Sequence, residues 1–112
     1  MTTNERTLQK LRDDGFTVHV QQYRLPIESE SLCLAYPEEA KAGDLSFPKY
    51  ELHQRGQRPS GKGGKTVVTL AVEDGDETLV VTGIALCNIK DNFSKSTGLS
   101  IALGRALKEL SA

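Results

Sequence analysis

Residues 65–87 have the sequence KTVVTLAVEDGDETLVVTGIALC, which carries the strongest structural pattern in the chain. Its two ends, residues 65–72 and 78–87, are rich in the β-branched residues that favour strands. Between them, the pair Asp74-Gly75 supplies the positive φ angles of a tight turn. The sequence therefore predicts a β-hairpin in this part of the chain.

The segment that follows the hairpin, from about Asp91 to Leu110, has helical periodicity, and Asp91, Asn92 or Ser94 can cap its start. One face of this helix carries leucines, and a second face carries only small residues. The small face predicts close packing of the helix on the sheet, a self-associating surface, or a ligand lying against bare backbone. The leucines are Leu99, Leu103, Leu107 and Leu110, and the small residues are Ser94, Gly98, Ala102 and Ala106.

Three further elements are predicted upstream of the hairpin. Residues 4–14 combine a leucine face with charged residues, and Gly15 offers a stop, which indicates a short amphipathic helix. Alternating apolar and polar residues predict a strand over 16–25. A shorter alternation predicts a second strand at 31–36.

Residues 51–65 combine basic side chains with glycine and proline, which is typical of a flexible basic loop. The acid-free part of this loop, residues 53–65, is interpreted either as a solvated surface or as a segment that clasps a phosphate. Its end, Gly63-Gly64-Lys65-Thr66, is similar to the end of a phosphate-cradling nucleotide loop. That motif requires a following helix, whereas a strand is predicted here, so nucleotide hydrolysis is not expected.

The length and charge of the chain limit its class. A chain of 112 residues suits one domain, and the predicted elements give an α+β fold with a small antiparallel sheet, a C-terminal helix and a short N-terminal helix. The net charge of −1 gives no general attraction to nucleic acid or anionic lipid. No apolar stretch approaches the roughly 20 residues of a membrane span, and the first residues lack a secretory signal, so a cytoplasmic location is expected.

The residues that usually carry catalysis or bind metals are few. His19 alternates outward on the predicted first strand, and His53 lies in the basic loop, so neither is placed beside a nucleophile. Cys33 and Cys87 have no partner at metal-ligand spacing and are predicted to be reduced thiols. The sequence therefore favours a binding protein that needs no cofactor and no metal over an enzyme.

A polar cluster joins the hairpin to the last helix. Helix N-termini attract anions, and Asn88, Asn92 and Lys95 would surround such an anion with donors. Phe93 is interpreted either as a base-stacking ring or as a hydrophobic staple. Arg105 lies between apolar neighbours in the helix interior, where its guanidinium needs an anionic partner, so it is the leading candidate for a phosphate contact.

The end of the chain resembles a known family. Asn88, the run KDNFSK at 90–95, Gly98 and the run IALGRAL at 101–107 are similar to the C-terminal signature of small phage-encoded proteins, in particular the phage anti-Thoeris sponges of the first kind. That family binds and sequesters the cyclic ADP-ribose signal of bacterial TIR-domain defence enzymes without degrading it. The resemblance covers the last third of the chain and, more weakly, the strand at 16–25.

The resemblance implies a homodimer or higher homo-oligomer in the host cytoplasm, with pockets near the subunit interface for a cyclic ADP-ribose isomer or a related cyclic nucleotide. Asn88 and Arg105 match the asparagine and arginine side chains of such pockets, and Arg55 or Arg58 of the basic loop is a further candidate. Ser100 departs from the family pattern, which suggests another arginine at that position.

The sequence is also compatible with two functions of other classes. A small nucleic-acid-binding module would use the strands and the basic loop, but the net charge and the scarcity of aromatic residues count against it. A phage protein-interaction module would use the bare helix face. The hairpin edges, like that face, predict self-association, because a small monomer would struggle to cover them.

Overall fold

A computed structural model describes residues 2–25, 51–52, 59–88 and 91–111, together with the single positions 35 and 38. No helix within these residues is long and apolar enough to span a membrane. The elements over the described ranges are α1 (Thr3–Asp13), β1 (Thr17–Arg24), β2 (Glu51–Leu52), β3 (Lys65–Asp74), β4 (Glu77–Leu86) and α2 (Lys95–Leu110).

The strands form one antiparallel sheet in the order β2-β1-β3-β4. The predicted hairpin is confirmed: β3 and β4 pair along their full length, from Lys65 opposite Leu86 to Asp74 opposite Glu77. Only the turn differs from the prediction. Its two central residues are Gly75 and Asp76, and the positive φ of 66° occurs at Gly75 alone. A positive φ at the first central position only is the pattern of a type II′ turn, which glycine suits.

The predicted N-terminal helix and its stop are also confirmed. The amide of Phe16 donates to the carbonyl of Leu11 at 2.9 Å, and the amide of Gly15 donates to that of Arg12 at 3.1 Å. This pair of bonds is a Schellman motif, which satisfies the last carbonyls of a helix. It turns the chain directly from α1 into β1.

The core lies between one face of the sheet and the two helices. Alternate residues of β3 and β4 point to this face and are buried, so both strands have the two-residue period of a half-covered sheet. Both helices add leucines and α2 adds alanines, which gives the α+β fold that the sequence predicts. The buried hydrophobic cluster comprises Leu8, Leu11, Val68, Leu70, Val81, Ala85, Ala102, Leu103 and Ala106.

The small-residue face of α2 packs on the sheet. Ala102 and Ala106 are fully buried, and a methyl group added to Gly83 of β4 would overlap the carbonyl oxygen of Ala102. A methyl group added to Gly98 would lie 2.5 Å from the hydroxyl of Thr66. The prediction of helix-on-sheet packing is confirmed, and the prediction that this stripe mediates self-association is wrong, because the protein's own sheet covers it.

One prediction fails upstream of the hairpin, and another lies largely outside the described residues. Of the strand predicted at 31–36, only Ala35 is described, and it is helical. Within the predicted loop 51–65, Glu51–Leu52 pairs with the end of β1, and residues 59–64 pack into the fold with Ser60 fully buried. Residues 53–58 lie outside the described part of the chain.

The contact at Gly83 leads to a paired stability prediction. We expect Gly83→Ala to destabilise the protein by about 2 kcal/mol or more, because the methyl group would push α2 away from the sheet. We expect Gly104→Ala to stabilise it by up to about 1 kcal/mol, because nothing lies within 4 Å of a methyl group there and alanine favours the helix. Urea unfolding of both variants checks the pair. A neutral Gly83→Ala would contradict the close packing of α2.

Candidate functional site

A cavity of about 420 Å³ lies where β4 ends and α2 begins. Its size is within the range of small-molecule sites. We call it the α2 cavity. Its lining residues are Thr66, Ala85, Leu86, Cys87, Asn88, Asp91, Asn92, Phe93, Ser94, Thr97, Gly98 and Ile101.

One wall of the α2 cavity is held by a clasp, which we define as residues 60–64 together with 91–93. The amide of Gly63 donates to the carbonyl of Asp91 at 3.1 Å, and the amide of Phe93 donates to that of Gly61 at 2.8 Å. The side chain of Lys62 adds a bond to the amide oxygen of Asn92 at 3.3 Å. The clasp ties the chain before β3 to the chain before α2 and so fixes the wall that Asp91, Asn92 and Phe93 form.

Phe93 is a structural member of the clasp. Its ring lies against the backbone of Gly64, where a methyl group would overlap the ring and where φ is 114°. The guanidinium of Arg24 stacks on the ring at 4.3 Å from the centroid. The staple prediction is wrong, because the fourth helical residue that it requires is Gly98, which has no side chain. Base stacking by Phe93 stays a prediction.

The start of α2 contributes Ser94 and Thr97 to the lining of the α2 cavity. Ser94 is the N-cap, and its hydroxyl accepts the amide of Thr97 at 3.3 Å. The first turn of α2 contains no acidic residue, and its first residue is Lys95. A helix dipole favours negative charge at this end. Because no acidic side chain of the first turn supplies that charge, an anion from solution can be attracted there, and Lys95 adds to the attraction.

Thr66 is a site residue that the sequence did not identify. Its side chain is fully buried in the wall of the α2 cavity, and its hydroxyl oxygen has no hydrogen-bond partner. A buried hydroxyl without a hydrogen-bond partner lowers the stability of the fold, and such groups are rare in protein interiors. The sequence shows only a threonine that alternates inward on β3, and no local signal marks its hydroxyl as unpaired.

Cys87 lies in the lining as a free thiol. Its sulfur is 3.6 to 3.7 Å from the backbone oxygens of Asn88, Asp91 and Asn92. Burial, with a smaller contribution from the carboxylate of Asp91, raises the pKa of the thiol, although a bond from the amide of Gly63 opposes the shift. The folded protein therefore favours the neutral thiol over the nucleophilic thiolate.

The structure places the predicted site residues in three groups. Asn88, Asn92 and Phe93 come together in the α2 cavity, whereas Lys95 lies outside its lining. Arg105 is exposed and also lies outside the lining. Its guanidinium donates to the backbone oxygen of Ile84 at the edge of β4. A carbonyl therefore supplies the partner that the sequence predicted to be an anion. The third group, Arg55 and Arg58, lies outside the described residues, as does Cys33.

Comparison with known proteins found no match for this chain among family models, curated proteins or solved structures. Within the described residues, no group of three or more His, Cys, Asp or Glu side chains is placed to hold a metal ion. The chemistry of the cavity is therefore the main guide to its ligand.

The raised pKa of Cys87 leads to a reactivity prediction. In a Cys33→Ser variant, which leaves one thiol, we expect alkylation of Cys87 by iodoacetamide to have its pH midpoint above the ordinary thiol value of about 8.5. The same measurement in denaturant should return the midpoint to that value. Alkylation quenched at fixed times over a pH series and followed by mass spectrometry measures the two midpoints. A midpoint below about 8 in the native protein would contradict the buried environment of Cys87.

Proposed function

We propose that this protein binds a cyclic ADP-ribose-type nucleotide in the α2 cavity and sequesters it without cleaving it. The observation that carries the proposal is the meeting of two amide side chains and a helix start in one cavity. Asn88 and Asn92 supply the amides, and Ser94 and Thr97 lie at the helix start. Amide side chains of this kind recognise bases and ribose, whereas helix starts recognise phosphates.

The choice of ligand is supported by the ending of the chain. Residues 88–107, which resemble the anti-Thoeris sponges, contribute most of the lining of the α2 cavity. In the proposal, the ligand's phosphate lies at the start of α2 near Ser94 and Thr97, and its base or ribose lies against the asparagines. The protein then acts in the host as a phage anti-defence factor that removes a signal from solution.

Sequestration, as opposed to cleavage, is supported by the state of Cys87. It is the lining residue that would be the strongest nucleophile as an anion, and burial holds it in the neutral form. The described lining contains no histidine, since His19 lies in a different cavity, and its one carboxylate, that of Asp91, further disfavours the thiolate. Affinity alone is then the mechanism, and it requires binding sites in excess of signal and a Kd below the threshold of the signal's receptor.

Thr97→Glu separates binding from folding. We expect this variant to lose at least about tenfold in nucleotide affinity, because a carboxylate would enter the lining where the phosphate is proposed to bind. We expect its stability to be unchanged or higher, because Ser94 and Glu at position 97 form a capping box with a favourable charge at the helix start. Calorimetry with a panel of cyclic ADP-ribose isomers and cyclic dinucleotides, together with thermal melts, measures both.

The matched control is Ser96→Glu, which adds the same charge one residue away at an exposed position outside the lining. Its loss of affinity should be much smaller. Heat denaturation of the native complex followed by mass spectrometry should release the intact ligand. Release of a hydrolysed product would overturn sequestration, and failure of every nucleotide in the panel to bind would overturn the ligand class.

We also propose that two copies associate through the edge of β4. This strand is ten residues long and lies at the end of the sheet order, where its outer edge has no neighbour among the described strands. Long, apolar edge strands favour pairing with another chain. Arg105 covers only one carbonyl of this edge, that of Ile84. The large hydrophobic side chains exposed on β4 are Leu79, Val80, Ile84 and Leu86.

Self-association is checked by light scattering at micromolar concentration, where we expect the mass of a dimer or a larger assembly. Ile84→Lys should shift the mass toward that of a monomer, because lysine on an edge strand opposes pairing. Ile101→Lys is the control, since Ile101 has the same exposure of 44% but lies on α2. A native protein with the mass of a monomer, or an equal effect of both variants, would rule out the β4 interface.

A further inference from the structure

A second cavity, of about 360 Å³, lies between β1 and the start of α2. We call it the β1 cavity. Three of its lining side chains are basic, and its described lining contains no carboxylate. None of its residues except Lys95 belongs to the site predicted from the sequence, and it shares no lining residue with the α2 cavity. The lining residues are His19, Val20, Gln21, Gln22, Arg24, Leu52 and Lys95.

Arg24 is held in place by neutral groups. One terminal nitrogen of its guanidinium donates to the backbone oxygen of Ser60 at 2.8 Å, and the plane of the group stacks on Phe93 at 4.3 Å. Its Nε atom is buried and has no hydrogen-bond partner. No carboxylate in the described ranges pairs with it, and burial lowers the pKa of the guanidinium. A cation that is fixed, partly desolvated and without a counter-charge is prepared for an anion.

Lys95 lines the same cavity from the start of α2. It is exposed at the first position of α2, where the helix dipole disfavours a positive charge. Gln22 of β1 donates from its side-chain amide to the backbone oxygen of Lys95 at 3.4 Å, which keeps the helix start against the strand. Lysine at this position does not stabilise the helix. A bound anion, in contrast, would be attracted both by the charge of Lys95 and by the helix start.

We infer that the β1 cavity is a second anion site that takes a phosphate or pyrophosphate group between Arg24 and Lys95. Arg24 offers a rigid planar group and Lys95 a mobile charge, and His19 and Gln22 are further lining residues with donor groups. The inference goes beyond the nucleotide proposal, because it concerns a different cavity and its probe contains no base or ribose. Free pyrophosphate and a nucleotide's diphosphate share this chemistry.

Pyrophosphate titration by calorimetry at low ionic strength tests the site in the full chain. We expect saturable binding by the native protein and a loss of about tenfold in affinity for Lys95→Gln. Thermal stability of Lys95→Gln should be unchanged or higher, because a cation leaves the helix start. Lys108→Gln is the matched control: it removes the same charge from an exposed position near the C-terminal end of α2, roughly 20 Å away at 1.5 Å per residue.

Arg24→Lys provides the second variant, since it keeps the charge but loses the planar group that stacks on Phe93. We expect it to weaken pyrophosphate binding while the protein remains folded, as judged by circular dichroism. Absence of saturable binding by the native protein, or an equal loss in Lys95→Gln and Lys108→Gln, would overturn the inference. Adenosine diphosphate in a parallel titration distinguishes the source: tighter binding than pyrophosphate indicates a nucleotide, and equal binding indicates the phosphates alone.

Discussion

The contact between Gly83 of β4 and the backbone of α2 at Ala102 is the constraint on which the rest of the structure depends. Helices usually stand off a sheet by the length of their side chains, but here neither side contributes a side chain larger than a methyl group. Because of this close approach, α2 packs directly on β3 and β4. The contact therefore helps to set the distance between the start of α2 and the end of β4, the two elements that line the α2 cavity.

The same close approach explains why polar groups accumulate at one end of the sheet. With α2 so near, Thr66 is sealed beneath Gly98 in the wall of the α2 cavity. The clasp lies at the same end of the sheet, and the guanidinium of Arg24 contacts it through the ring of Phe93. Both cavities thus share one frame: the α2 cavity lies on one side of the helix start, and the β1 cavity lies along the first strand.

Local patterns were sufficient for the hairpin, for α1 and for α2, because β-branched runs, a glycine turn and capping residues act over a few positions. They were also sufficient to bring Asn88 and Asn92 to the start of α2. They did not reveal the partner of Arg105, the role of Phe93 or the unpaired hydroxyl of Thr66. Each of these depends on contacts between segments far apart in the chain, and no spacing rule encodes such contacts. A two-residue strand such as β2 is likewise too short to leave a pattern.

The position of the clasp has a consequence for the order of folding. Lys62 and Asn92 are 30 residues apart and meet just outside the open end of the hairpin. A hairpin of neighbouring segments forms within about 1–10 μs, and closing the clasp before it would cost the entropy of the whole loop. We therefore expect the clasp to close after the hairpin and to open before it on unfolding. Transient release of the clasp would then move one wall of the α2 cavity while the strands stay paired, so that ligand exchange and sheet stability would have separate barriers.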